Sequence, residues 1–411
     1  MAARRRRSTC VVTRSGSAQL TRLERSDLPD RGAYRLKSAA SIQCHDTAPN
    51  TVIPQNAWKD KLLDLSDVVE TQKSQYHPTA ILASQYYNKV TKKRSFYYAP
   101  FKTNVVPFHI WNSLVEKAGY KLADAPKTWD AFWDFFKPMQ KKLRDKGMRG
   151  VYALGLQPTT TGPADGNAMF HYFLIAYGGN GIVTKDGKPQ LDDPQVKEAV
   201  IKALTYITTA FKEGYVPPGA LSWNDADDNN AFHAKQMIAY IDGTISPEVA
   251  LYHKKEEYDD IVTMGLPLDN AGKQIPAQLA VIGPFVPKGA KNVEGAKDFL
   301  KYLIQPKVTN EYLKAGLGRW LPAMPDLVKS DPFWLDPKDP HVAAYAREGL
   351  VDPTVPNYPV FNPGYSEANS QQIWGTAEAD VIREGMTPQA AAEKALKRIG
   401  QILTKYPIVQ S

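Results

Sequence analysis

The seven histidines (His45, His77, His109, His171, His233, His253 and His341) are the first candidates for metal or acid–base chemistry, but they are dispersed. No His-Glu-x-x-His occurs, and no two histidines stand four apart as a helical zinc pair would. The acidic run Asn224-Asp225-Ala226-Asp227-Asp228-Asn229-Asn230 invites a calcium loop, which needs Gly at its sixth position and Glu at its twelfth. Counted from Asp225, those positions hold Asn230 and Gln236, so a solvated loop leading into a helix is expected instead. Gly178-Gly179-Asn180-Gly181 is followed by no Gly-Lys-Ser/Thr and does not fit a dinucleotide fingerprint, so it reads as a turn. No Gly-x-Ser-x-Gly elbow is present. Asp225, Asp242 and Glu248 could serve as a glycosidase's carboxylates, but their separation is a property of the fold. No catalytic residue, metal ligand set or cofactor is expected.

What the chain does offer is aromatic and amide side chains in polar loops. Trp223 lies in Leu221-Ser222-Trp223-Asn224-Asp225, Trp320 in Gly318-Arg319-Trp320-Leu321-Pro322, and Tyr365 follows Pro363-Gly364. Sugars present flat C–H faces that stack on such rings and hydroxyls that pair with Asn, Asp and Thr. Each of these rings could equally be a packing residue.

The elements that must position these loops alternate between strand and helix, the pattern of an α/β fold. Thr128 precedes Trp129 and Asp130 as a helix N-cap, and Trp129, Phe132, Trp133 and Phe136 form one aromatic face read as core. Pro138 is expected to kink or end that helix. Further helices open at Asp193-Pro194 and Thr387-Pro388, and another covers 293–303, stopping near Pro306. Short strands are expected at 96–99, 150–154, 237–241, 261–264 and 279–282. Loops at 157–167, 216–230 and 353–364 are rich in Gly, Pro and Asn, and such loops on a rigid scaffold carry ligand contacts.

Composition narrows the function classes. At 411 residues the chain suits two lobes. The formal charge of +8 is concentrated at the start, where residues 1–50 hold ten Lys/Arg against four acids. The rest is close to neutral, which removes the argument for nucleic-acid binding. Both cysteines, Cys10 and Cys44, lie in that same segment, so the body carries no disulfide framework or cysteine nucleophile. No stretch approaches the roughly 18 apolar residues of a membrane helix. The basic run Arg4–Arg7 is followed by Ser8-Thr9-Cys10 and not by an apolar core, so no secretory signal is legible. Residues 1–57 are expected to be disordered or not the native start.

Three stretches resemble the extracellular solute-binding proteins of ABC importers, in the sugar-type group that includes maltose-binding protein. They are Val281-Ile282-Gly283-Pro284-Phe285-Val286-Pro287-Lys288-Gly289-Ala290-Lys291-Asn292, the segment from Phe232 to Thr244, and Thr387-Pro388 through Ala395. Ala234 stands where that family usually has Gly before Lys235. The resemblance implies a two-lobed periplasmic-binding-protein fold of type II, hinged between the lobes. The N-lobe would be 58–106 plus 273–325, lacking the family's first strand, and the C-lobe 107–272 plus 326–411. It implies a monomer that captures a sugar or polyol in the periplasm, between its lobes, and delivers it to an inner-membrane ABC permease. Ligand contacts would come from Asn104, Thr160, Asp165, Tyr177, Trp223, Asn224, Asp242, Thr244, Trp320 and Tyr365. A glycan-acting enzyme, or a cytosolic protein sharing the fold, is the alternative.

Overall fold

The computed structural model describes residues 53–162 and 164–408, together with the backbone of Ser17–Ala18, which pairs antiparallel with Cys44–His45. The remainder of the segment expected to be disordered or non-native lies outside the described residues. That segment's end is corrected: Ile53–Trp58 is a helix, and Ile53, Ala57 and Trp58 are buried in the core.

Two four-stranded sheets organise the chain. In the first, strands run in the order Leu321–Pro322, Lys102–Asn104, Ala277–Ile282, Thr354–Pro356. The first two neighbouring pairs are antiparallel and the last is parallel. In the second, the order is Tyr152–Gly155, Met237–Ile241, Phe108–Trp111, Ile261–Met264. Here Tyr152–Gly155 runs parallel to its neighbour and the other pairs are antiparallel. Residues 105–107 join the sheets directly, and residues 265–276 return the chain from the second sheet to the first. Thr354–Pro356 falls in the segment given to the C-lobe, yet it hydrogen-bonds alongside Ala277–Ile282 in the first sheet.

Local chemistry set most of these elements. Met237–Ile241 and Ile261–Met264 form over the expected residues, because short runs of β-branched and apolar residues suit a buried pleat. The strand expected at 96–99 lies earlier, at Lys93–Phe96, in a hairpin with Gln85–Asn88. Asp193 caps its helix by accepting from the backbone N–H groups of Gln195 (2.8 Å) and Val196 (3.2 Å). Thr387 caps the C-terminal helix by accepting from the Ala390 N–H at 3.2 Å.

The helix Trp129–Asp145 differs from expectation in two ways. It runs unbroken through Pro138, and Thr128 makes no side-chain cap; the Asp130 N–H instead donates to Asn270 Oδ1 at 3.0 Å. Its aromatic face clamps Phe108 of the second sheet, whose ring centroid lies 4.8 Å from Trp133 and 4.9 Å from Phe132. This burial holds both halves of the helix in place despite the hydrogen bond that proline removes.

Candidate functional site

Three acidic side chains from separate elements converge beside the sheet junction. Asp165 opens the helix Asp165–Ala176, Asp228 lies in the helix Asp227–His233, and Asp242 directly follows the strand Met237–Ile241. One carboxylate oxygen from each lies within 4.8 Å of the others. Asp228 and Asp242 are buried and Asp165 is half-buried. Asn104, at the end of its strand in the first sheet, reaches the same place: a Cβ added to Gly243 would lie 3.4 Å from Asn104 Nδ2 and 3.9 Å from Asp165 Oδ1.

The local fold fixes each carboxylate. Asp225 Oδ1 accepts from the backbone N–H groups of Ala164 (3.0 Å) and Asp165 (3.3 Å), anchoring the start of the helix that carries Asp165. Asp242 accepts from the Gly243 N–H at 2.6 Å and from the Ser246 hydroxyl at 3.0 Å. The turn that follows is strained, since the β-branched Thr244 takes φ 133°. Gln157 donates its amide N–H to Asp228 Oδ2.

Charge is poorly compensated at this spot. Among the described ion pairs, none joins a Lys or Arg to any of the three carboxylates. Burial, and then the neighbouring Asp242, pushes the Asp228 carboxyl up to about 8. Burial also raises Asp165, reinforced by Asp242 and Asp228. Asp242 is raised by burial as well, against the pull of His109.

Several wholly buried polar atoms meet no partner, among them Gln157 Oε1, Tyr240 Oη, Gln278 Nε2 and both carboxyl oxygens of Glu348. They span the junction. Gln278 belongs to the first sheet and Tyr240 to the second, while Glu348 sits on the helix Pro340–Leu350. Tyr172, from the helix that Asp165 opens, bridges to the first sheet: its hydroxyl lies 3.1 Å from Gln278 N and 3.4 Å from Gln278 O.

The residues singled out from sequence are thus divided. Asn104, Asp165 and Asp242 come together, and buried Thr244 lies two residues after Asp242, its hydroxyl accepting from the Ser246 N–H at 3.0 Å. The carbonyl of Trp223 accepts from Thr159 Oγ1 (2.7 Å) and Thr161 Oγ1 (2.9 Å), which pins the loop carrying half-buried Thr160. Asn224 is spent on a turn, taking the Ala226 N–H at 2.9 Å. Trp320 lies beside the first sheet with Lys102 Nζ 4.1 Å above its ring. Two placements are corrected. Tyr177 donates to Asp130 at 2.6 Å in a separate surface depression shared with Tyr206 and Asn270. Tyr365 is fully buried, bonded to His171 (2.8 Å) and Trp374 (3.0 Å), and belongs to the core.

Sequence reasoning missed Gln157, Asp228 and Tyr240. The run holding Asp228 was expected to be a solvated loop leading into a helix; Asp228 lies in that helix, but wholly buried. Two signals were available: Asp228 lies one turn before Phe232, on the buried face, and Tyr240 lies two residues before Asp242.

The family model described as bacterial extracellular solute-binding protein matches residues 37–344. The chain belongs to this family. No curated protein matches it. Among solved structures, this solute-binding protein is similar to an ABC transporter solute-binding protein from Thermotoga lettingae TMO bound with alpha-D-tagatose. That match has 19% identity and a TM-score of 0.68, over 87% of this chain and 84% of the other. Maltose-bound MalE3 of T. maritima matches at 17% identity and TM-score 0.65, over 84% and 81%. UgpB of Mycobacterium tuberculosis, in complex with glycerophosphocholine, matches at 16% and 0.63, over 87% and 82%. The fold is therefore the two-lobed α/β fold of periplasmic binding proteins. Among the described residues, no helix is long and apolar enough to cross a membrane.

Proposed function

We propose that this solute-binding protein captures a sugar or related polyol at the junction of its two sheets and hands it to an ABC permease in the inner membrane. The observation that carries the reading is the set of buried, partnerless polar atoms there, contributed by both sheets and by the helix between them. Each such atom costs free energy unless something supplies a donor or acceptor. A polyhydroxylated molecule supplies both from every hydroxyl. The carboxylates of Asp165, Asp228 and Asp242 would accept from hydroxyls, and Asn104 would donate from the first sheet. Residues 105–107 and 265–276 would act as the hinge, with closure worth the solute's differential affinity for the closed state. Tagatose, maltose and glycerophosphocholine in proteins of the same fold support a solute of this size and polarity. The family's extracellular character supports a periplasmic site of action.

A thermal-shift screen of the full chain against mono- and disaccharides, polyols and glycerol phosphates tests this, because a ligand that binds only the folded state raises the melting point. A concentration-dependent rise with one sugar or polyol class is expected. No shift with any of them refutes the assignment.

A further inference from the structure

We propose that Asp165, Asp228 and Asp242 form a site for a hard divalent cation of the calcium type. The inference rests on the proposed solute site for its setting, since the ion would sit where solute hydroxyls are expected to bind.

The geometry is that of an oxygen cage. Calcium holds its oxygen ligands at about 2.3–2.6 Å, so opposed ligands stand roughly 4.6–5.2 Å apart and adjacent ones closer. Three carboxylate oxygens that all lie within 4.8 Å of one another can share one such ion. No histidine or cysteine contributes to the cluster, and an all-oxygen donor set suits a hard cation.

A separate observation points the same way. Gln157 is only 2% exposed, and its amide nitrogen is occupied by Asp228, which leaves its carbonyl oxygen buried beside the cluster with no donor. Carboxylate oxygens cannot donate to an amide oxygen, whereas a cation within reach would take it as a fourth ligand. Tyr240 is fully buried and shares the strand face of Asp242 two residues on; its hydroxyl is also without a partner. A neutral sugar could satisfy these atoms singly, whereas a divalent ion would engage the three carboxyl oxygens and the amide oxygen together. Its remaining positions would be open to water or to the solute's hydroxyls.

Calorimetric titration of calcium chloride into the full chain, stripped with EDTA, tests the site. One calcium per chain is expected, with affinity lowered at least tenfold by Asp228→Asn and by Asp165→Asn and unchanged by Asp259→Asn on the exposed surface. No calcium heat from the folded wild-type protein overturns the proposal, as does binding that both cluster variants leave intact. Repeating the sugar screen in EDTA and in calcium separates the two readings. A sugar shift in EDTA without calcium binding leaves solute capture standing and removes the cation. Calcium binding with no sugar shift does the reverse.

Discussion

Gln157 donates its side-chain amide to the buried carboxylate of Asp228 and leaves its own carbonyl oxygen without a donor. The pair ties the loop after Tyr152–Gly155 to the helix Asp227–His233, and it gathers buried acceptor atoms beside Asp242. In the proposed mechanism these are the atoms that the solute's hydroxyls satisfy.

Asp228→Asn should weaken binding of the best solute from the screen by about tenfold or more. That corresponds to losing one hydrogen bond and leaving its buried partner unsatisfied, about 1–3 kcal/mol. Isothermal titration calorimetry measures it. An unchanged Kd would remove Asp228 from the site.

Tyr365→Phe should leave solute affinity within about twofold, because Tyr365 belongs to the core and not to the junction. Its hydroxyl is the partner of both His171 and Trp374, so the fold should lose about 1–3 kcal/mol. Denaturant melts read alongside titration separate the two effects. A large loss of affinity at unchanged stability would return Tyr365 to the ligand.

Gly375→Ala should damage both stability and binding. An added Cβ would lie 1.9 Å from the carbonyl oxygen of Thr159, a backbone atom that cannot rotate away. Overpacking of this kind costs about 1–3 kcal/mol or more, and it would displace the loop carrying Thr160. A lower melting temperature with weaker binding is expected. A variant as stable as the parent would show that the loop is not fixed there.

His109 and Glu248 form a fully buried pair at 2.6 Å, with Thr263 donating to the same Glu248 oxygen at 2.6 Å and His341 bonded to Thr263. Burial opposes both charges, yet Glu248 holds the imidazole above its usual 6.5, and His109 holds the carboxyl below its usual 4.5. The Glu248 contribution is present above 4.5 and lost as pH falls through its depressed value. The His109 contribution is present below 6.5 and lost as pH rises through its raised value. This pair's contribution should therefore be largest between pH 4.5 and 6.5. Glu248→Gln should cost about 3–5 kcal/mol there by stranding a buried charge. Melting curves of both proteins from pH 3 to pH 9 check it. A difference that does not change with pH would mean that the pair is neutral.

The sequence by itself determined whatever depends on neighbours a few residues away. Asp193 and Thr387 announced their helices because a cap bonds to backbone N–H groups within the first turn. Met237–Ile241 and Ile261–Met264 were legible from composition, and the order of such segments carried the family resemblance. Pro138 misled for the same reason: local chemistry stops a helix there, and only the packing of Trp133 and Phe132 on Phe108 carries it through. Tertiary structure alone decided the site. Gln157 and Asp165 come from one stretch and Asp228 and Asp242 from others, and no local rule sets the distance between their side chains. Burial decided the rest. It made Tyr365 a core residue and Asp228 an acidic group shut away from water, because a side chain's exposure is fixed by what folds over it and not by the polarity of its neighbours in the chain.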